Sequence, residues 1–385
     1  MRRVGRSGGG CLVAGGLRFR GTAVLLLGLA AGGVSAQEAG PDYDRIWETF
    51  KLHTGGEGAL VESVVLSGRL QFDYAYVHAD HDTFSDLDLR RFRFGQKTRF
   101  RGNLTLHTEA EYDPNGGNLN YLRLTDTYIA WAPSDAFALT VGKQGASFTL
   151  DGQTSSKELI TIDRSNLANN LWFPEEYITG VTAGGERGDY VYELGFFTSG
   201  ERDRGFGDSN GGEFLLATVG RDFAAALSAE KALLRLNYID NEPDPLNSFT
   251  RPFERIVSLN FDYAQAGWGI RGDYTDGKGY LGQSDVSGVM VMPYWNLSER
   301  MQLVTRYTWL ESDGPNGVRI GRYERALVAG SGDEYNEIYV GFNYYWYGHK
   351  LKLQTGLQQV DMDDVAADGG AHEGWSWTTG FRISW

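Results

Sequence analysis

Cysteine is nearly missing from this chain. Cys11 is the single one in 385 residues, and it precedes the longest apolar run, residues 22–34. A chain cut after that run keeps no thiol, which excludes disulfides and cysteine metal ligands. Long apolar stretches are also missing. Nothing after residue 36 approaches the ~20 apolar residues that a membrane-spanning helix needs, so any crossing is by strands. Proline is scarce, at 9 residues, while Gly reaches 52, Tyr 21 and Trp 10. Little Pro with abundant Gly and aromatics suits many twisted strands joined by tight turns. Positive charge is in deficit. Five of the 36 basic residues and none of the 50 acidic ones lie in the first 36 positions, which leaves a net charge of −19 beyond them. That balance speaks against a nucleic-acid or anionic-lipid partner. There is no HExxH, no Gly-rich phosphate loop and no GxSxG, and the six His are scattered, so no enzyme, metal site or cofactor is expected.

What is present begins with an address. Arg2, Arg3, Arg6, Arg18 and Arg20 lead into the apolar run, and Val34-Ser35-Ala36 supplies small residues for a cut near Ala36. Residues 1–36 therefore read as a secretory signal peptide. Residues 37–63 read as a periplasmic N-terminal segment, and residues 64–385 as the main domain.

The last stretch, 374–385, names the architecture. Trp375, Trp377, Thr379, Phe381, Ile383 and Trp385 alternate with Ser376, Thr378, Gly380, Arg382 and Ser384. Period two makes a strand with one oily and one wet face. An oily face rich in Trp fits a membrane–water boundary better than a soluble core. Such a terminal strand would pair with the first and leave no free edge. Similar segments recur near 64–78, 87–101, 103–113, 121–132, 136–144, 176–185, 189–198, 212–222, 231–241, 254–264, 267–276, 285–297, 300–311, 333–347 and 349–361. The expectation is an all-β transmembrane antiparallel barrel of about 16 strands in the bacterial outer membrane. Tight turns such as Arg101-Gly102-Asn103 and Ala266-Gly267 alternate with long, Gly-rich, charged connections, the longest at 145–175. Short periplasmic turns and long extracellular loops give that alternation. In strand 121–132 both faces are mixed, and Asp126 points at lipid unless a bulge intervenes.

One strand carries most of the chemistry. Arg91, Arg93, Lys97, Arg99 and Arg101 alternate with Phe92, Phe94, Gln96, Thr98 and Phe100. With the Phe face on lipid, a row of cations lines the lumen, as an anion pore requires. Arg suits phosphate in particular, because its planar fork donates to two oxygens at once. The competing reading is a neutralised stripe, with Lys97 opposite Glu109 and Arg93 near Asp113 across the hairpin. Arg91 and Arg99 have no acidic partner in that pairing. The connection 145–175 holds Lys157, Asp163 and Arg164 beside apolar Leu159-Ile160-Thr161-Ile162, and it is expected to fold inward.

In order, Gly68-Arg69-Leu70-Gln71-Phe72-Asp73-Tyr74, Arg90-Arg91-Phe92-Arg93-Phe94-Gly95, Asp126-Thr127-Tyr128-Ile129, Val141-Gly142-Lys143-Gln144 and Asp163-Arg164-Ser165 occur along the chain. This ordered set resembles the phosphate-selective porin O and P family. The resemblance implies a sixteen-stranded barrel, a homotrimer and small anions, phosphate above all, as solutes. It also implies a lumen role for Arg69, Arg91, Arg93, Lys143 and Arg164. Strand parity disagrees for Lys143, which shares a face with Leu139 and Val141. The acidic balance keeps a general or cation-leaning porin in play, and a barrel-scaffold enzyme is the further alternative.

Overall fold

The computed structural model describes residues 41–116, 119–172, 176–198, 205–207, 210–248 and 250–385. The signal segment and its cut at Ala36 lie outside these residues. Helix α1 (Pro41–Glu48) leads into a short strand, β1 (Lys51–Thr54). The wall follows as β2 (Val61–Ala79), β3 (Thr83–Phe100), β4 (Leu104–Asp113), β5 (Asn120–Ser134), β6 (Phe137–Gly145), β7 (Tyr177–Arg187), β8 (Tyr190–Thr198) and β9 (Glu213–Asp222). It continues as β10 (Lys231–Asn241), β11 (Phe253–Gln265), β12 (Trp268–Gly279), β13 (Val286–Asn296), β14 (Met301–Ser312), β15 (Glu334–Tyr347), β16 (Leu351–Asp363) and β17 (His372–Ser384).

From β2 to β17 each strand pairs antiparallel with the next. Strand β17 then pairs with β2, from Gly374 opposite Ala79 to Ser384 opposite Arg69. The result is a closed wall of sixteen strands with no free edge. Strand β1 continues the seam where β17 stops. Gly68 and Trp385 exchange backbone hydrogen bonds, and one step lower the Leu66 N–H donates to the Phe50 carbonyl. Phe50 stacks on Trp385 at 5.2 Å, and Trp47 donates its indole N–H to the Ser384 carbonyl at 2.8 Å. Residues 46–52 read from sequence as a short helix or strand, and both are present: α1 ends at Glu48 and β1 begins at Lys51.

The tight turns follow local chemistry. Gly102 and Asn103 both take positive φ, 88° and 64°, the conformation that favours these two residue types in hairpins. Outward faces are apolar: Val340 and Leu357 sit opposite each other and are about half exposed, as are Trp375 and Trp377. Their sequence neighbours Tyr339, Gln358, Ser376 and Thr378 point inward.

Asp126 does not face lipid. Thr108 pairs with Thr127 but Ala110 pairs with Leu124, so β5 carries one extra residue at 125–126. That bulge turns the strand's facing over. Arg123 then points inward with Asp126, and Leu122 and Ile129 point outward.

The interior is not water throughout. Ile178, Phe197, Phe214, Ile256, Met290, Leu310 and Tyr335 make the inner face of β7–β15 apolar, and loop residues Phe148, Leu150, Ile160, Leu167 and Trp172 pack against it. Each such aliphatic or aromatic side chain removed from lumen water contributes about 1.5–3 kcal/mol. This explains why loop residues 146–172 lie inside the barrel. Polar side chains remain on the inner face elsewhere, with Arg69, Arg91, Arg93, Glu109 and Glu111 gathered on β2–β4 and Arg306, Glu337, Lys352 and Arg382 on β14–β17.

Among the described residues no helix is long and apolar enough to cross a membrane.

Candidate functional site

Register alone assembles the site. Arg69 on β2 lies opposite Arg93 on β3, Arg93 opposite Glu111 on β4, and Glu111 opposite Arg123 on β5. One rung up, Gln71 faces Arg91. Two arginines directly opposite each other repel, so acids must share the rung. The Arg69 Nη2 atom is 3.2 Å from Glu109 Oε1, Arg93 Nε is 3.2 Å from Glu111 Oε1, and Arg123 Nη2 is 2.8 Å from Glu111 Oε2. The hairpin pairing differs from the one expected. Phe100 pairs with Leu104 around a three-residue turn, so Lys97 faces His107 rather than Glu109, and Arg93 faces Glu111 rather than Asp113. An even shift of two keeps every side chain on its face and changes only its partner.

The long loop brings the rest. Ser156 accepts a hydrogen bond from Arg69, and its carbonyl accepts one from Gln71 at 3.0 Å. Glu176, just before β7, receives Arg91 Nη2 at 3.3 Å and Arg164 Nη1 at 2.9 Å on Oε1, and Arg93 Nη2 at 3.2 Å on Oε2. Arg91, given no acidic partner by the sequence, has this one from the loop. Burial pushes the Glu176 carboxyl up, but Arg164, Arg91 and Arg93 outweigh it and hold the group well below the usual carboxylate range. Lys157 donates from Nζ to the Trp385 carbonyl at 2.9 Å. Burial first, then neighbouring Arg69, lowers its pKa to about 8. Arg91, Arg93, Arg123 and Arg164 share two carboxylates, Glu111 and Glu176, so this cluster carries a net charge of +2. Beside it a cavity of about 190 Å³ is lined by Arg69, Asp126, Ser156, Arg164, Glu176 and Tyr177 among others.

The loop is tied across the lumen by the opposite wall. Lys352 Nζ donates to the Leu159 carbonyl at 2.6 Å, Asn343 to the Ile160 carbonyl at 2.7 Å and Arg306 to the Asp163 carbonyl at 3.0 Å. Extracellular loop 313–333 also folds in: Tyr323 donates to Asp73 Oδ2 at 2.6 Å, and Glu324 accepts from Ser376 at 2.7 Å. Arg306 pairs with Glu337 at 2.7 Å, and Arg382 pairs with Asp73. Arg306, Lys352 and Arg382 stand at inward positions of cleanly alternating strands, so their facing was readable from sequence. Glu176 and Arg123 were missed: one lies at a loop end, the other behind the bulge.

Lys97 and Arg99 keep the inward register of β3 nearer the periplasmic turn. Both are exposed, and neither makes an ion pair among the described residues.

Lys143 requires a correction. It sits directly opposite Thr127 and Thr179 and alternates with Gln144, which bonds inward-facing Thr182 at 2.9 Å. Lys143 therefore points to the outer side. There it is buried, donating to the Gly205 carbonyl.

The acidic tips have local partners. His81 holds Asp80 at 2.8 Å, and Asp364 accepts from the backbone N–H groups of 367–370. Among the described residues no three His, Asp or Glu side chains converge as a metal site.

Residues 64–240 match the model of the phosphate-selective porin O and P family, so the likeness read from the ordered motifs is shown over that range, which contains all of them. No curated protein matches. Among solved structures, an anion-selective porin from Comamonas acidovorans aligns at 13% identity and TM-score 0.60, over 84% of this chain and 99% of that one. The outer-membrane channel DcaP of Acinetobacter baumannii aligns at 13% identity and TM-score 0.57, over 86% and 100%. OmpT, an outer-membrane protein of Vibrio cholerae, aligns at 12% identity and TM-score 0.54, over 86% and 99%. At these identities the shared property is the fold.

Proposed function

We propose that this chain is a passive outer-membrane channel for small anions of the inorganic phosphate and polyphosphate class. The observation that carries the reading is the rung Arg69–Arg93–Glu111–Arg123, with Arg91 and Arg164 beside it, where guanidinium groups outnumber carboxylates at the place where the long loop meets the wall. An oxyanion meets two-donor forks there in place of its water. Arg69, Arg91, Arg93, Lys97, Arg99, Lys157 and Arg164 would form its path, with Lys97 and Arg99 as free charges on the periplasmic side. The chain would be exported by its N-terminal signal, cut near Ala36, and would work as a homotrimer in outer-membrane lipid, without enzymatic activity. The anion selectivity named for the Comamonas porin, and the name of the matching family, support the same reading. Planar-bilayer recording tests it. A potassium chloride gradient should give a reversal potential on the chloride side, and phosphate should reduce the chloride current. A cation-side potential with no effect of phosphate would overturn it.

A second reading has its own observation. The net charge of −19 beyond residue 36, and the pairing of each central Arg with a carboxylate, favour a general or cation-leaning porin. The same recording separates the two.

A further inference from the structure

Glu176 is the shared acceptor of three guanidinium groups from two separate segments, strand β3 and the long loop: Arg91 and Arg164 on Oε1, Arg93 on Oε2. Each of these arginines is also held by groups other than Glu176. Arg91 Nη1 donates to Gln71 Oε1 at 2.9 Å. Arg93 Nη1 donates to the Tyr177 hydroxyl at 2.6 Å, and its guanidinium lies 5.0 Å from that ring's centre. Arg164 donates to the Asp151 carbonyl at 2.8 Å and the Thr154 carbonyl at 3.0 Å, and it lies over Trp172 at 4.9 Å. Removing Glu176 would therefore leave the three forks in place, aimed at a gap shaped for a planar, two-oxygen anion.

We propose that Glu176 is a tethered occupant of an anion site, and that a permeating carboxylate passes by displacing it from Arg91, Arg93 and Arg164. This rests on the anion-channel part of the reading alone and goes beyond it: at this site the preferred class is a carboxylate in place of phosphate, and competition is the means of release. Three guanidiniums on one small anion would otherwise trap it, and conduction needs binding that is easily undone. A tethered competitor, present at an effective concentration on the order of millimolar, keeps the site exchangeable.

The test is Glu176→Ala in planar bilayers, with potassium acetate and potassium phosphate as separate probes against chloride current. Acetate should fill the vacated position. Its half-blocking concentration should fall about tenfold below the wild-type value, the factor by which a tethered competitor at ~1 mM, itself binding at ~0.1 mM, raises it. Anion over cation permeability should rise about fivefold, the effect of removing one unit charge ~4 Å from the path in water. An unchanged acetate response would overturn the proposal. A stronger block by phosphate than by acetate would overturn the carboxylate assignment. If the alanine variant fails to assemble on a heat-modifiable gel, Glu176→Gln keeps the shape without the charge and must give the same direction in both readouts. A cation-selective wild type would remove the anion-channel reading itself, whereas an anion-selective wild type with an indifferent variant would remove only the role of Glu176.

Discussion

Replacing Arg93 by Met separates the structural from the electrostatic role of the rung. The Arg93 side chain is fully buried and reaches Glu111, Glu176 and the Tyr177 hydroxyl. Hydrogen bonds to charged groups contribute about 1.5–3 kcal/mol each, and breaking a buried pair outright costs about 3–5 kcal/mol. Neither acid is orphaned here: Glu111 keeps Arg123 at 2.8 Å, and Glu176 keeps Arg164 at 2.9 Å and Arg91 at 3.3 Å. Met also fills most of the vacated volume. The expected loss is therefore about 2–3 kcal/mol, below the full cost of a broken pair. Urea unfolding in lipid vesicles, followed by Trp fluorescence, measures it. Arg93→Lys keeps the charge without the fork and should lose about half as much. Arg99→Met removes an exposed side chain without an ion pair and should stay within ~0.5 kcal/mol of wild type. In bilayers Arg93→Met lowers the cluster from +2 to +1, so anion preference should fall, by up to about fivefold. A loss under ~0.5 kcal/mol with unaltered selectivity would refute both the pairing and the charge balance drawn from it.

Val340→Arg, at the middle of β15 on the outer face, should cost about 2–4 kcal/mol in the same unfolding assay; no cost would mean that this face does not meet lipid. Lys143→Gln should leave the reversal potential unchanged, because its ammonium lies outside the wall; a shift would place it on the conduction path. Lys157 gives a pH dependence. With its pKa lowered to about 8 from 10.5, it discharges in the folded protein before the unfolded chain does. Between those values the unfolded state holds the extra proton, so stability rises with pH across that window while anion preference falls. Lys157→Gln should flatten both profiles, and a wild-type selectivity constant from pH 7 to 9 would contradict them.

Much of this wall was legible in the alternation of single strands. Trp375, Trp377 and Phe381 against Ser376, Thr378 and Arg382 fixed both facing and closure, because a strand's period is a local property. All sixteen wall strands fall within a few residues of the expected segments for the same reason. What sequence could not supply was anything that depends on register or on distant contact. The hairpin between β3 and β4 was offset by two residues, which exchanged Glu109 for His107 opposite Lys97. The bulge at Thr125-Asp126 left no compositional mark beyond an awkward aspartate. Glu176 meets Arg91 only because the loop's apolar residues find an apolar inner face on β7–β15, a match between segments far apart in the chain. For Lys143, parity within β6 was the better guide, since facing is a local property and a motif match is not.

The most direct test of an arginine-lined passage is the reversal potential of the purified protein in a tenfold potassium chloride gradient, repeated with Arg91→Glu. A guanidinium-rich polar interior predicts chloride selectivity in the wild type and a shift toward potassium in the variant. A potassium-selective wild type whose potential does not move with Arg91→Glu would mean that ions do not pass this wall.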